Sequence, residues 1–514
     1  MPFYNVSVGY RLSNEKMNAI RLSGIPLEIY PEVVRIRKGQ NSDDDTFFII
    51  EAVSEDAALG WADALRDVLS STETIVIEEV ENPDDPPDEL DVYSKVGTWT
   101  KTGGVSTTAI TSLGLSSKPL KALFLWGSGV PSHTTFNAYV EHGGAVFGFS
   151  DGTNEYCSGG SMQDNVGTTN SNTAILAKAY YIHDPTGNAA NHIEETGTVG
   201  FDSDGFTITW SGTTTSGAGH YMAIWGDDIS DVAAVAFDNE TTDEGLHEYD
   251  LGIDFNPDFG LIVGNYANDA VGGLPYSDTD PSLTVCVNAG QTNERNWYSG
   301  ISAGDGNPVA TTARHQRYNR FPGELDLAWS SNFETSGATF EGWTDTGFIV
   351  DWTPNPPDFT PSLFIGIFIK GGKWDAGYFV QPATGGTSPV GDVRALLVDK
   401  YSVVKGLMCL SIGNTVLNSV VGNSNIKWSV GATDGTNEGL SGVSVVQSSD
   451  PTVTASVMWN NKLVSNATAA ATATSSTEDA SCTIEDISTP GEFTVHYDSS
   501  DGTARQVVWW TLSA

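Results

Sequence analysis

Basic residues are scarce in this chain of 514 residues. Lysine and arginine together number 24 against 65 aspartates and glutamates, which gives a formal net charge of −41 and an isoelectric point near 4.2. A surface this acidic repels nucleic acid and anionic membranes, so the composition excludes nucleic-acid binding by most of the chain. The acidic residues are spread over all segments, which is typical of proteins that stay soluble in concentrated salt. We therefore expect a halophilic source, with an ordinary acidic secreted or viral protein as the alternative.

Cysteine is also rare, and long apolar runs are missing. The four cysteines form no Cys-x-x-Cys pair and have no histidine at metal-ligand spacing, so we expect small buried apolar side chains. They are Cys157, Cys286, Cys409 and Cys482, and their spacing leaves a disulfide open. No run of about 18 apolar residues indicates a membrane span, and the first residues lack the features of a signal peptide. The sequence therefore predicts synthesis in the cytoplasm without membrane insertion.

Motifs for catalysis are missing as well. The sequence has no Gly-x-Ser-x-Gly, no His-Glu-x-x-His and no phosphate-binding loop, and its eight histidines are scattered. No pair among the 65 acidic residues stands out as the two carboxylates of a glycoside hydrolase. We therefore predict a protein that is not an enzyme and has no cofactor. A polysaccharide depolymerase is the least favoured alternative.

The N-terminal segment differs from the rest of the sequence. Two amphipathic stretches, 13–23 and one that follows the N-cap residue Ser54, indicate helices. Short apolar or alternating runs indicate strands at 3–12, 33–37, 46–53 and 74–80. The order β-α-β-β-α-β is that of a ferredoxin-like α+β domain, which we place at 1–81. Prolines and acidic residues at 82–91 then predict a stiff, extended linker.

The remaining sequence is an internal repeat of about 140 residues. Five landmarks recur in the same order: an aromatic strand end, an apolar strand, a polar turn, an alternating strand and a closing apolar strand. The apolar strand aligns at Leu123, Leu261 and Leu407, and the polar turn at 151–155, 290–294 and 434–438. We therefore predict a mainly β protein with three tandem β-sandwich domains of jelly-roll-like type, at 92–229, 230–371 and 372–514.

Adjacent tryptophans mark the closing strand of the third copy. Because neighbouring residues of a strand point to opposite faces, Trp509 and Trp510 cannot share one environment. We expect one in the core and the other packed on a neighbouring subunit, with ligand stacking as the alternative. The basic cluster 314–320 could pair with another subunit's carboxylates, but a local salt bridge is the favoured interpretation.

The polar turns carry the candidate ligand-binding residues. Their carboxylates and amides could hold a sugar or a hard cation, but turn chemistry would recur between copies in the same way and is the favoured interpretation. The candidates are Asp151, Asn154, Glu155, Asp434, Asn437 and Glu438. The stretch around Asp202 and Asp204 resembles the start of a calcium loop but lacks further ligands and a distal glutamate. We interpret it as an Asp-Gly turn, with a structural cation as the alternative.

Two sequence patterns resemble known structural proteins. One is the Pro-x-x-x-Leu strand at 119–126 and 257–264, and the other is Phe-Asp-Ser-Asp-Gly-Phe-Thr-Ile-Thr-Trp at 201–210. They resemble the tandem β domains of tail fibres, vertex turrets and capsid-associated proteins of tailed viruses. The resemblance spans residues 92–514 and weakens towards the third copy. Together with the acidity, it implies a virion protein of a tailed virus that infects a halophilic archaeon.

The resemblance implies a surface or tail appendage of the virion, made in the host cytoplasm. Such appendages are usually homo-oligomers, so we expect a trimer or a pentamer. Residues 1–81 are expected to anchor the chain to other virion proteins, while the β domains contact a host surface glycan or S-layer. No catalytic residues follow from the resemblance. A carbohydrate-binding adhesin array of cellular origin is the alternative function.

Overall fold

The described part of the chain is mainly β, as the sequence predicts. A computed structural model describes residues 3–7, 33–40, 46–52, 76–80, 90–115, 117–128, 142–163, 171–183, 193–238, 245–265, 282–290, 296–303, 312–318, 320–321, 323–324, 336–352, 363–381, 393–397, 402–415, 419–422, 425–446, 454–469, 476–499 and 503–514. Every regular element in these ranges is a β-strand. The chain divides into two compact units, Met1–Glu89 and Leu90–Ala514.

The first unit contains one antiparallel sheet of four strands. They are β1 (Phe3–Ser7), β2 (Val33–Gln40), β3 (Thr46–Ala52) and β4 (Val76–Val80). The strand order is β2-β3-β1-β4, so β3 lies between β1 and β2. The two predicted helices lie outside the described residues.

Repeat 1 of the second unit, the predicted range 92–229, forms one large and one small antiparallel sheet. Its strands are β5 (Tyr93–Lys101), β6 (Thr107–Ile110), β7 (Leu120–Gly127), β8 (His142–Ser150), β9 (Glu155–Gln163), β10 (Ser171–Leu176), β11 (Tyr180–His183), β12 (Ile193–Asp202), β13 (Gly205–Trp210) and β14 (Gly217–Trp225). The large sheet has the order β10-β9-β8-β7-β14-β5 and the small sheet β11-β12-β13-β6.

Repeats 2 and 3 have the same two-sheet plan. Repeat 2 contains β15 (Ile229–Asp238), β16 (Gly245–Asp250), β17 (Phe259–Asn265), β18 (Ser282–Ala289), β19 (Asn296–Ala303), β20 (Thr312–Tyr318), β21 (Gly323–Glu324), β22 (Ser336–Trp343), β23 (Gly347–Trp352) and β24 (Leu363–Gly371). Repeat 3 contains β25 (Lys373–Gln381), β26 (Val393–Leu397), β27 (Val404–Ser411), β28 (Ser419–Gly422), β29 (Ile426–Thr433), β30 (Glu438–Val445), β31 (Thr454–Trp459), β32 (Val464–Ala469), β33 (Ser476–Asp486), β34 (Glu492–Ser499) and β35 (Arg505–Ser513).

One strand passes from repeat 3 to repeat 2. The large sheet of repeat 2 has the order β15-β24-β17-β18-β19-β20-β28, and the large sheet of repeat 3 has the order β25-β35-β27-β29-β30-β31. β28 therefore belongs to repeat 3 in sequence but pairs with the edge strand β20 of repeat 2. The small sheets are β16-β23-β22-β21 and β26-β34-β33-β32.

Each large sheet packs one face against its own small sheet. In repeat 1 this sandwich core contains Leu123, Phe206 and Ile208. Equivalent cores surround Phe348 in repeat 2 and Trp509 in repeat 3. The alternating strand therefore has the buried face that its sequence predicts.

The other faces of the three large sheets meet in a single shared core. This apolar cluster includes Phe124 from repeat 1, Leu261 from repeat 2 and Met408 from repeat 3, all of them essentially inaccessible to solvent. Trp510 also lies in it, whereas Trp509 lies in the sandwich core of repeat 3, so the two adjacent tryptophans do point to different environments. Both environments belong to this chain, and the expected packing of one tryptophan on a neighbouring subunit is wrong. Because both faces of the large sheets are buried, their central strands read as continuous apolar runs. The three repeats therefore form one compact unit.

The strand register corrects the alignment of the repeats. Phe124 pairs with Met222, Leu261 with Ile367 and Met408 with Trp510, each across the same two strands. Leu123 lies in the sandwich core of repeat 1, whereas Leu261 lies in the shared core together with Phe124 and Met408. The equivalent residues are therefore Phe124, Leu261 and Met408, and the alignment of Leu123 with Leu261 is wrong by one residue. A strand that is apolar on both faces carries no alternation to fix its register, which explains the error.

Candidate functional site

The polar turn of repeat 1 is closed by its own aspartate. Asp151 Oδ1 accepts hydrogen bonds from the backbone N–H groups of Thr153 (2.7 Å) and Asn154 (2.6 Å). Gly152 has a φ of 86°, a left-handed conformation that favours glycine. The turn thus has the Asp-Gly chemistry that the sequence analysis favours.

The turn of repeat 3 is built in the same way. Asp434 Oδ1 accepts from the N–H groups of Thr436 (2.8 Å) and Asn437 (2.7 Å), and Gly435 has a φ of 83°. Asn437 also donates from Nδ2 to Asp434 Oδ2 at 3.0 Å. These residues are therefore bonded to one another within the turn.

The second oxygen of each aspartate reaches the next repeat. Asp151 Oδ2 accepts the Ala234 N–H of repeat 2 at 2.8 Å, and Asp434 Oδ2 accepts the Val96 N–H of repeat 1 at 2.9 Å. Val96 and Ala234 are equivalent, because they pair with Met222 and Ile367. Repeat 1 thus binds repeat 2 as repeat 3 binds repeat 1. This head-to-tail contact is the kind that generates closed rings.

The contact between repeats 2 and 3 lacks this carboxylate. Val287 pairs with Leu261 as Phe149 pairs with Phe124, which places Ala289 where repeat 1 has Asp151. Six residues separate β18 from β19, against four between β8 and β9, and of the predicted turn at 290–294 only Gly290 lies within the described residues.

Other groups hold repeats 2 and 3 together. The N–H of Ala376, the residue equivalent to Val96, instead donates to Oδ1 of its neighbour Asp375 at 2.8 Å, a bond within β25 that does not reach repeat 2. Arg314 Nη1 donates to the backbone oxygen of Asn425 at 2.8 Å, and β28 extends the sheet of repeat 2. Burial and the neighbouring Arg505 lower the pKa of Arg314 to about 10. All three pairs of repeats are therefore in contact, and they form a closed ring around the shared core.

The glutamates that follow the two turns connect the sheets within a sandwich. Glu155 Oε2 accepts the Val199 N–H of β12 at 2.7 Å, and Glu438 Oε1 accepts the Ile484 N–H of β33. Asn296 has the equivalent position in repeat 2, because it pairs with Asn288 as Glu155 pairs with Ser150. Each glutamate thus links a large sheet to its small sheet.

The two glutamates differ in their electrostatic surroundings. Burial raises the pKa of Glu155, while the Val199 N–H and the Lys178 ammonium oppose the shift. Burial raises the pKa of Glu438 further, to about 7, and the Asp498 carboxylate adds to the effect. A substantial fraction of Glu438 is therefore protonated at neutral pH.

The two aspartates of the calcium-like stretch have protein partners. Asp202 Oδ2 accepts from Thr207 Oγ1 at 2.7 Å, and Asp204 Oδ1 accepts the N–H groups of Gly114 (3.1 Å) and Leu115 (3.4 Å). Asp204 therefore holds the loop between β6 and β7. Within the described ranges, no group of three or more His, Cys, Asp or Glu residues could hold a metal ion.

A groove of about 470 Å³ lies where repeats 1 and 2 meet. Polar side chains from both repeats line it: Lys121, Asp151, Thr153, Asn154, Asp231 and Asp254. The structure thus brings the candidates Asp151 and Asn154 to a concave surface, whereas Glu155 lies between the sheets. That any of the candidates binds a ligand stays a prediction.

Repeat 1 contains a buried ion pair that the sequence patterns did not indicate. Lys101 Nζ lies 3.0 Å from Glu195 Oε2, and the two side chains are 0% and 2% exposed. Glu195 Oε1 also accepts the N–H groups of Thr214 and Thr215, both at 2.9 Å. Lys101 follows the buried Trp99 by two residues in β5, so the two side chains point to the same face of the sheet. This spacing is the one sequence signal that could have predicted the burial of Lys101.

The four cysteines are buried and none forms a disulfide. Burial raises the pKa values of Cys157, Cys409 and Cys482 well above the usual range, so these thiols are unreactive apolar groups. Within the described ranges, no helix is long and apolar enough to cross a membrane.

Comparisons with known proteins identify no family for this chain. No protein-family model and no curated protein matches the sequence. Among solved structures, the chain is similar to the LG1-3 region of the laminin alpha2 chain, with 8% identity and a TM-score of 0.08. The match covers 83% of this chain and 96% of the laminin region. Such a TM-score supports no conclusion about fold or function.

Proposed function

We propose that the chain is a structural protein of a virion surface or tail appendage and not an enzyme. The observation that supports this best is the ring of three sandwiches around one shared core. The recurrent carboxylates of repeats 1 and 3 are bound within this ring, where they close turns and connect repeats. A core shared by all three repeats favours a rigid unit, which suits an appendage.

The first unit is proposed as the anchor to other virion proteins. In its sheet, β2 lies one strand away from β1 with β3 between them, an arrangement that suits the ferredoxin-like fold. We expect deletion of residues 1–81 to abolish incorporation into particles, because the anchor is removed. The truncated protein should still fold, since the second unit has its own core. Truncated protein found in purified particles would refute the anchoring role.

Homo-oligomerisation, as a trimer or a pentamer, is part of this proposal. The ring already combines three equivalent sandwiches in one chain, so assembly has to use surfaces outside the ring contacts. Native mass spectrometry tests this directly: the dominant species should have three or five times the chain mass of 54.6 kDa. A monomer at all concentrations would contradict it.

Attachment to a host glycan or S-layer is proposed as a second function of the same protein. The groove between repeats 1 and 2 favours it, because hydroxyl, carboxamide, carboxylate and ammonium groups converge there. Asn154→Ala should weaken binding to host-surface glycans, and Asn437→Ala, in the equivalent turn of repeat 3, is the matched control. If the two variants bind host-surface glycans equally well, the attachment site lies outside this groove.

A halophilic source is proposed from the charge alone. With a net charge of −41, mutual repulsion opposes compaction in dilute buffer and is screened in concentrated salt. The midpoint of thermal unfolding should therefore rise steeply between dilute buffer and molar potassium chloride. A midpoint that does not change with salt would count against this source.

A further inference from the structure

Glu438 lies at the boundary between the two sheets of repeat 3. It is the first residue of β30 in the large sheet, and its Oε1 atom accepts the Ile484 N–H of β33 in the small sheet. The side chain is mostly buried between the two sheets. A change in the charge of this carboxyl group therefore acts directly on the contact between the sheets.

Charged and titratable groups face Glu438 from several elements. Asp498 of β34 is the nearby carboxylate, and Lys462 Nζ lies 2.9 Å from its Oδ2 atom. His496 Nε2 lies 3.9 Å from Asp498 Oδ1. Burial raises the pKa values of the Cys409 thiol in β27 and the Cys482 thiol in β33, and both lie close enough to the Glu438 charge for it to add to the shift. An ionised Glu438 thus adds a second negative charge near Asp498, and among the described residues the Lys462 ammonium is the cation that offsets the two.

Repeat 1 provides the matched contact without the second carboxylate. Glu155 makes the same bond to the small sheet, through the Val199 N–H at 2.7 Å. The charged group that acts on it is the Lys178 ammonium, which favours its ionised form. The same hydrogen bond thus experiences opposite local charge in the two repeats.

We propose that the small sheet of repeat 3 is a pH-responsive element, which Glu438 holds more firmly on its large sheet in mild acid than above neutral pH. A protonated Glu438 keeps a carbonyl oxygen for the Ile484 N–H and adds no charge beside Asp498. An ionised Glu438 keeps the bond but adds repulsion in a poorly solvated position. This inference is independent of any virion function.

The pH range follows from the change in pKa on folding. Burial and Asp498 raise the pKa of Glu438 from its usual 4.5 to about 7. Below 4.5 the folded and unfolded chains both carry the proton, so the group makes no difference. Between 4.5 and 7 only the unfolded chain releases it, and folded repeat 3 loses stability as the pH rises. A shift of one pKa unit changes the ratio of folded to unfolded chain tenfold. The whole shift therefore lowers this ratio by up to about 300-fold as the pH rises.

The test compares Glu438→Gln with Glu155→Gln in the full chain. Glutamine keeps an acceptor for the backbone N–H and cannot ionise. At pH 8, E438Q should unfold at a higher temperature than the parent, whereas at pH 5, where most of the loss has not yet occurred, the gain should be much smaller. E155Q should show a smaller difference between the two pH values, because Lys178 stabilises the ionised form of Glu155. Equal gains for both variants, or no gain for E438Q at pH 8, would overturn the proposal.

A second measurement covers the case in which E438Q does not fold. Hydrogen exchange of the parent, corrected for the intrinsic pH dependence, gives the protection of β33 (476–486) and of β12 (193–202). The ratio of β33 to β12 protection should fall by at least tenfold from pH 5 to pH 8, as one pKa unit alone would require. A ratio that does not change would overturn the proposal without any variant.

Discussion

Repeats 1 and 3 use the same residues for the same contacts, yet they differ in the charges around them. In both, an aspartate closes the turn and binds the next repeat, and a glutamate binds the small sheet. Repeat 1 adds a buried lysine, Lys101, where the equivalent residue of repeat 3 is the buried neutral Gln381. The contacts of these aspartates and glutamates are thus the same in repeats 1 and 3, but the charges around them differ. The two repeats should therefore respond differently to charge-changing substitutions.

The largest expected effect concerns the buried ion pair of repeat 1. Lys101→Met keeps the length of the side chain but leaves the Glu195 carboxylate buried beside an apolar group. Removing one partner of a buried pair costs about 3–5 kcal/mol, so we expect a loss of that size in the free energy of unfolding. Denaturant unfolding at neutral pH measures it.

The same position in repeat 3 provides the control. Gln381→Met removes no charge and leaves no ionised partner buried, so its cost should be that of losing a neutral polar group, about 0.5–1.5 kcal/mol. Equal losses in the free energy of unfolding for K101M and Q381M would show that the ion pair of repeat 1 stabilises the fold no more than a neutral polar residue does.

Much of this architecture follows from sequence patterns, but not the shared core. The alternation of Phe206, Ile208 and Trp210 predicts a strand with one buried face, and the structure buries these residues. The continuous run around Phe124 indicates burial on both faces without indicating what covers the second one. For the same reason the register of Leu261 could not be fixed from the pattern.

The site residues show a similar limit. The turn chemistry of Asp151 and Asp434 follows from the Asp-Gly-Thr-Asn sequence, which local hydrogen bonding explains. Their second contacts, to Ala234 and Val96, join residues far apart in the chain, and backbone N–H groups leave no trace in a sequence. The raised pKa of Glu438 comes first from its burial and then from Asp498, which lies on another strand, and neither has a recognisable sequence signal.

A medium effect is expected at the joint between repeats 3 and 1. Asp434→Asn keeps one acceptor oxygen but turns an amide NH₂ towards either the turn or the Val96 N–H. A buried donor without an acceptor costs about 1–3 kcal/mol. We therefore expect a loss of this size in the free energy of unfolding, and a similar loss for Asp151→Asn. A stability unchanged within error would mean that the second contact is dispensable.

The smallest effect is expected at the joint between repeats 2 and 3. Asp375→Ala removes the acceptor for the Ala376 N–H, but this bond lies within β25 and does not cross to repeat 2, whereas Arg314 and β28 do connect the two repeats. One hydrogen bond contributes about 0.5–1.5 kcal/mol, and we expect the lower half of that range in thermal unfolding. If D375A loses more stability than D434N, the aspartate matters more at the contact between repeats 2 and 3 than at the contact between repeats 3 and 1, which would contradict the account.

Hydrogen exchange of Trp510→Ala tests the shared core most directly. Trp510 belongs to repeat 3 but packs in the cluster that contains Phe124 and Leu261, and such a truncation costs about 3–5 kcal/mol. Protection should therefore fall in β7 of repeat 1 and β17 of repeat 2 as well as in β35. A loss confined to residues 373–513 would show that the three repeats are independent domains.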